Sequence, residues 1–160
     1  MTLAEYWLPY AISQIVFLFL LLASWRWFFV ARFFWTIIFL GAGIFNFYTA
    51  STQPEVYLAY ADGALLSFYK NFILCEFSRH PAFYVKSIAI GQMLVGVLLM
   101  GRGKVFKLGC LGGIIFLLAI APLGVGSALP ATLIGAAALV LLWRHGAERM
   151  IYQRIRRQSS

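Results

Sequence analysis

Most of the side chains that could perform acid–base chemistry lie in or beside one stretch, 61–80. They are Tyr57, Tyr60, Asp62, Tyr69, Glu76 and His80. Glu76 and His80 stand four residues apart, so on a helix they come within hydrogen-bonding reach, and a carboxylate that orients an imidazole is a catalytic arrangement. The same spacing is typical of an exposed surface pair, and Pro81 follows at once and interrupts the turn. The spacing leaves both interpretations open.

Two amides lie in stretches that are otherwise apolar. Asn46 and Gln92 are surrounded in sequence by Ile, Leu, Phe and Val, and lipid offers an amide no hydrogen-bond partner. Each must therefore bond to another helix or to a polar ligand inside the protein, and Gln14 has the same two interpretations. The candidate ligand-binding set is Asn46, Asp62, Tyr69, Glu76, Gln92 and His80. No residue is assigned a catalytic role.

The cysteines and histidines do not have the spacing of a metal site. Cys75 and Cys110 form no CxxC or zinc pattern. His145 follows the last apolar run, where it fits either a haem or pigment ligand or an ordinary interface residue. The chain also lacks the phosphate-loop, zinc-protease, serine-hydrolase and dinucleotide-binding motifs. We therefore predict no metal, and a quinone or a lipid is the ligand to consider.

The amino-acid composition indicates whether the protein folds in water or in a lipid bilayer. The chain has 160 residues, of which 62% are hydrophobic and 11% charged, and its mean hydropathy is +0.86. A soluble domain of this length exposes too much surface to hide so many apolar residues. We predict a single all-α domain, 1–160, embedded as a helical bundle in a lipid bilayer.

Apolar runs predict about five transmembrane spans. The predicted spans are 6–24, 31–50, 81–101, 107–126 and 129–145, followed by a basic tail at 146–160. A span needs about 20 residues, with a lower limit near 17, and the last run is the shortest. The first run is preceded by Glu5 and by no basic residue, which predicts a retained helix rather than a cleaved signal peptide.

A polar insert, 51–80, separates the second span from the third. Thr52 and Glu55 have the spacing of a capping box, and Pro54 suits the first turn of a short helix. Apolar side chains within 65–77 then recur every three or four residues, with polar ones between them. We expect an amphipathic helix that lies on the outer face of the membrane.

Glycines recur on the third and fourth spans. Gly91, Gly96 and Gly101 stand at every fifth residue, and Gly109 and Gly113 form a GxxxG pattern. Small residues allow membrane helices to approach closely. The pattern predicts a tightly packed bundle and says nothing about a substrate.

The charges predict how the bundle is oriented. The net charge is +8, and ten of the 13 basic residues fall on one predicted side: Arg26, Arg32, Arg102, Lys104, Lys107, Arg144, Arg149, Arg154, Arg156 and Arg157. Basic residues concentrate on the cytoplasmic side, so we predict an outside N-terminus and a cytoplasmic C-terminus. Charge placed beside membrane helices also argues against nucleic-acid binding.

The order of segments after Trp35 resembles a known family. One membrane helix leads into the polar segment NFYTASTQPEVYLAYADGALLSFYKNF, and closely spaced glycine-rich helices follow in IGQMLVGVLLMGRGKVFKLGCLGGIIFLLAIAPLGVGSALP. This layout is similar to that of the DoxX-like family of small bacterial membrane proteins. The resemblance implies a four-helix core in the bacterial inner (cytoplasmic) membrane. The helix 6–24 departs from that pattern and is interpreted as a docking element.

The sequence therefore favours a protein without catalytic activity. Our main hypothesis is an integral membrane subunit or scaffold of a larger bacterial complex, respiratory or photosynthetic, whose partners are lipid and other membrane subunits. Members of the DoxX-like family are associated with quinone-linked sulfur oxidation or with partner membrane proteins. A quinone-linked oxidoreductase component is thus the first alternative, and a small-molecule transporter is the second.

Overall fold

The described chain is helical almost throughout. The structure is a computed structural model that describes the backbone of residues 3–158 and the side chains of residues 7–146. Its helices are α1 (Leu3–Arg26), α2 (Phe28–Thr52), α3 (Tyr60–Gly63), α4 (Ser67–Cys75), α5 (Pro81–Met100), α6 (Lys104–Ile120) and α7 (Ala131–Gln158). Tighter 3-10 turns cover Pro54–Ala59, Phe77–Arg79 and Ala121–Ser127. No strand occurs within residues 3–158, so the predicted all-α class is confirmed.

Four helical stretches are long and apolar enough to cross a membrane. They are Trp7–Arg26, Phe28–Thr52, Pro81–Met100 and Lys104–Ser127, and they match the first four predicted spans. A shorter apolar stretch, Ala131–Gly146, opens α7 where the fifth span was predicted. These are helices of a multi-pass membrane protein, while the count of five and the orientation stay predictions.

The five long helices form one bundle in which successive helices run in opposite directions. α2 packs most extensively on α5, α1 packs on α7, and α6 contacts both α5 and α7. At one end Arg32 of α2 bonds to Leu99 of α5. At the other end Tyr10 of α1 bonds to Leu129, just before α7. We call these the basic end and the insert end.

Aromatic rings of α2 fill the centre of the bundle. Trp35 is 1% exposed and its ring lies edge-to-face on Phe17 of α1, with centroids 5.7 Å apart. Phe39 lies one turn further along and contacts Phe116 of α6 at 6.0 Å. A Cβ on Gly113 would lie 3.0 Å from the Phe39 ring. The glycine therefore provides the room that this ring occupies.

The predicted close approach of helices occurs at some glycines and not at others. A Cβ on Gly109 would lie 2.7 Å from the Leu99 backbone nitrogen, and one on Gly96 would lie 2.7 Å from Leu40. Gly91, by contrast, is exposed, and a Cβ there would meet nothing within 4 Å. Close approach is therefore found at Gly96, which faces Leu40 of α2, and not at Gly91, which faces outward.

The insert begins later than predicted, and its capping box does not form. Thr52 is the last residue of α2, and its hydroxyl donates to the Tyr48 carbonyl at 3.1 Å instead of capping a new helix with Glu55. α2 ends there because the residue before a proline is driven out of the helical region, and Gln53 has φ −145°. Pro54 does begin the next helical turn, as predicted.

The amphipathic helix of the insert is shorter than its sequence pattern. α4 covers Ser67–Cys75. Ile73 and Phe77 are buried in a small core with Val85 of α5, whereas Phe68 is 75% exposed. Only one edge of the predicted apolar face therefore packs on the bundle.

Candidate functional site

Asn46 and Gln92 meet where α2 contacts α5. The Asn46 Nδ2 donates to the Gln92 Oε1 at 2.8 Å. The Tyr57 hydroxyl, from the insert, donates to the Asn46 Oδ1 at 2.8 Å. Gln92 is 5% exposed, and Asn46 and Tyr57 are half-buried. These three side chains form one hydrogen-bonded series, which we call the polar chain.

Glycine allows the two amides to reach each other. A Cβ on Gly43 would lie 2.8 Å from the Ala89 carbonyl oxygen, so the two helices are almost in backbone contact there. Asn46 follows Gly43 by three residues and Gln92 follows Ala89 by three, which places each amide on the same face as the close contact. Short amide side chains can therefore span the gap.

Two tyrosines of the insert, Tyr57 and Tyr60, are held protonated. The Tyr57 ring stacks on Tyr60 with centroids 6.0 Å apart and planes 19° from parallel. Burial raises the pKa of Tyr57, with Thr49 as an opposing hydrogen-bond partner, and burial alone raises the pKa of Tyr60. Burial disfavours the charged phenolate. Tyr57 therefore remains a hydrogen-bond donor to Asn46 at neutral pH.

The insert is bonded to the far side of the bundle as well. The Leu65 backbone N–H donates to the Pro122 carbonyl at 2.8 Å, and the Tyr69 hydroxyl donates to the Ala119 carbonyl at 2.8 Å. Gly124 has φ +71°, and a Cβ on it would lie 2.3 Å from the Gly63 carbonyl oxygen. The insert therefore lies directly on the turn that joins α6 to α7.

The structure does not assemble the predicted acid–base set. Within the described side chains, no hydrogen bond or ion pair joins any two of Asp62, Tyr69, Glu76 and His80. Glu76 instead lies 3.5 Å from Arg79, and both are exposed. His80 does not complete a helical turn with Glu76, because it is the cap of α5 and has a non-helical φ of −142°. Glu76 therefore forms an exposed ion pair with Arg79, and not a pair with His80.

Gln14 and His145 bond to backbone carbonyls. Gln14 donates to the Ala128 carbonyl at 3.0 Å, which supports the interhelical interpretation of that amide. The Nδ1 of His145 donates to the Ser24 carbonyl at 2.9 Å.

Cys75 is exposed and Cys110 is buried, both as free thiols. Among the described residues, no group of three or more His, Cys, Asp or Glu side chains could hold a metal ion.

Sequence reasoning missed two structural roles. Arg32, counted above only as a basic residue of the predicted cytoplasmic side, turns inward: its Nε donates to the Leu99 carbonyl at 2.6 Å and a second nitrogen donates to the Gly101 carbonyl. It thereby caps the last carbonyls of α5, which have no partner within the helix. Tyr57 was recognised as an acid–base group but not as the partner of Asn46, because that contact depends on how the insert folds back.

Comparison of the chain with protein-family models, with curated proteins and with solved structures finds no match.

Proposed function

We propose that this protein is a non-catalytic integral membrane subunit or scaffold of a larger bacterial membrane complex, respiratory or photosynthetic. The observation that carries the proposal is where its embedded polar groups find partners. Asn46 bonds to Gln92, while Gln14 and Arg32 bond to backbone carbonyls. Enzymes and transporters direct such groups into a space that a substrate enters. Here most of them hold helices together.

The first helix is the element best suited to contact a partner. In its apolar stretch 17% of the residues are buried, against 28% to 33% in the other three long spans. Its outward side chains include Leu8, Ile12, Ile15 and Leu22, each about half exposed or more. α1 contributes little to the core relative to its length. An outward apolar face of this size suits the transmembrane helix of another subunit.

The resemblance to the DoxX-like family also sets α1 apart from the other four long helices. In this proposal α2, α5, α6 and α7 are the family's four-helix core, and α1 is an addition that serves as the docking element. Tyr10 and Gln14 attach α1 to the residues just before α7. These two hydrogen bonds fix α1 to the four-helix core, so a partner that binds α1 is also held against the core.

The test is purification from the native membrane in mild detergent. A photo-crosslinking amino acid at Ile15 on α1 would be compared with one at Val97, an exposed residue of α5. We expect stoichiometric partner proteins by mass spectrometry and a protein adduct at Ile15 but not at Val97. A protein that purifies alone, with lipid adducts at both sites, would contradict the proposal.

The same preparation separates the alternatives. Quinone extracted in stoichiometric amount from a lone protein would support the oxidoreductase component. Solute flux into vesicles that contain only this protein would support the transporter.

A further inference from the structure

Lys86 places a basic side chain inside an apolar span without an anion beside it. It lies five residues after Pro81, so its Cα is about 7.5 Å from the start of α5 at 1.5 Å per residue. Its Nζ lies 5.6 Å from the centre of the Phe47 ring of α2. Among the described side chains, Lys86 forms no hydrogen bond and no ion pair. A charge within a membrane span is costly and calls for a partner.

The acids among the described side chains do not supply that partner. Glu55, Asp62 and Glu76 lie on the insert and are exposed, and none is within ion-pair distance of Lys86. The face of the Phe47 ring attracts a cation but does not neutralise it. The anion must therefore come from outside the part of the chain that the structure describes.

The surface around Lys86 is apolar and faces outward. Ile90 follows Lys86 by one turn on α5, and Ile44 precedes Phe47 by one turn on α2, so both lie on the basic-end side of the charge. Both isoleucines are more than half exposed. We call Ile44, Phe47, Lys86 and Ile90 the Lys86 strip. It has one charge at the top and open apolar surface beneath it, as a phospholipid has.

The backbone directs Lys86 toward the membrane surface. Side chains of a helix tilt toward its N-terminus, and the N-terminus of α5 lies at the insert end. The apolar span Pro81–Met100 has 20 residues, or about 30 Å, which matches the hydrocarbon core of a bilayer. Lys86 is therefore near one boundary of that core, where a lysine stem can bring its ammonium group to the headgroup layer.

We propose that Lys86 binds the phosphate group of a phospholipid whose acyl chain lies along the Lys86 strip. Charge complementarity favours a lipid here, because an apolar partner helix on the strip would cover the ammonium group without an anion. The face proposed above for another subunit is on α1, which packs on α7 and α2. The lipid site therefore does not depend on the subunit function.

The test compares two lipids that differ only in the phosphate. The purified protein, in an alkyl maltoside detergent that contains no phosphate, would receive phosphatidic acid or diacylglycerol with the same photoreactive acyl chain. Peptide mass spectrometry would locate the adducts. On the peptides that contain Ile44 and Ile90, we expect about fivefold more adduct from phosphatidic acid, the ratio that one basic side chain near an anionic headgroup provides.

Three variants assign the preference to one side chain. Lys86→Met should abolish it, whereas Lys86→Arg, which keeps the charge, should retain it. Lys70→Met removes the same charge from an exposed position of the insert and should also retain it. Adducts near the exposed Lys104, at the basic end, should be the same in all the proteins.

Two results would overturn the proposal. One is an equal yield from both lipids on the strip of the unmodified protein, a comparison that decides even if Lys86→Met fails to fold. The other is a phosphate preference that Lys86→Met leaves intact, together with a native-membrane protein that this variant alone releases. The anion beside Lys86 would then be a carboxylate of a partner subunit.

Discussion

Replacing Gly43 by alanine should force α2 and α5 apart, and the same replacement at Gly41 should not. Gly43 is buried, whereas Gly41 lies two residues away and is exposed. A Cβ on Gly43 would lie 2.8 Å from the Ala89 carbonyl oxygen and 3.0 Å from the Met93 backbone nitrogen. A Cβ on Gly41 would meet nothing within 4 Å. The two variants add one methyl group to the same helix on different faces.

The size of the effect follows from which atoms are too close. Ordinary contact begins at 3.4 Å, so the α5 backbone must move by about 0.6 Å at Ala89, and no side-chain rotation can relieve the contact. Overpacking of this kind costs about 1–3 kcal/mol. The hydrogen bond between Asn46 and Gln92 lies one turn away and adds about 0.6 kcal/mol if it is lost. Gly41→Ala should stay within about 0.5 kcal/mol of the unmodified protein.

The measurement is the free energy of unfolding in mixed detergent micelles, by titration with a denaturing detergent or by steric trapping. Near-ultraviolet circular dichroism would follow the packing of Trp35, which is buried in the core. We expect Gly43→Ala to unfold at lower denaturant and Gly41→Ala to coincide with the unmodified protein. Coincident transitions for the two variants would refute the argument, because a tight contact at Gly43 cannot absorb a methyl group without loss.

Three further predictions concern the ends of the bundle. Arg32→Lys should lower the free energy of unfolding by about 1–3 kcal/mol, because the single nitrogen of an ammonium group cannot reproduce the planar fork in which two guanidinium nitrogens reach two carbonyls at the end of α5. The same change at the exposed Arg26 should leave the free energy of unfolding unchanged. Gly124→Ala should release the insert, since φ +71° and the Gly63 oxygen both oppose a Cβ, and faster amide hydrogen exchange across 54–79 would report it. Burial raises the pKa of Tyr60, so its contribution to stability is complete below the ordinary value of 10.0 and is lost as pH rises through the folded value. Thermal unfolding measured at rising alkaline pH should therefore show a smaller loss of stability in Tyr60→Phe than in the unmodified protein. Equal losses in the two proteins would contradict the raised pKa of Tyr60.

The spans were predictable because one physical quantity decides them. A helix that crosses lipid must be apolar over its whole length, and that property can be read directly from the sequence. The four confirmed stretches therefore match predicted spans to within a few residues. The capping box failed because Thr52 satisfies a carbonyl of the preceding helix instead, and its spacing to Glu55 cannot distinguish the two outcomes.

The site was predictable only in part. Asn46 and Gln92 could each be expected to need a partner, but nothing in the sequence pairs two residues 46 positions apart. The hydrogen bond considered between Glu76 and His80 does not form, for the opposite reason: residues close in sequence were expected to be close in space. Glu76 and His80 stand at opposite ends of the 3-10 turn Phe77–Arg79, and the non-helical backbone of His80 prevents the two residues from sharing one continuous helix. Distance along the chain was a poor guide in both cases.

The polar bonds also show how the bundle is held as a unit. Lipid provides no hydrophobic force between helices, so close packing and hydrogen bonds must hold them. Among the described side chains, hydrogen bonds between the long helices or their adjoining turns join two pairs of helices. Asn46 and Arg32 link α2 to α5, and Gln14 and His145 link α1 to α7. Among the described residues, the hydrogen bonds that link the first pair to α6 and to the turn before α7 run through the insert, by way of Leu65 and Tyr69, while the Arg32 guanidinium also lies 5.1 Å from the centre of the Phe106 ring of α6. The insert is therefore a clamp between the two halves, and loosening it at Gly124 should weaken the bundle far from the substituted residue.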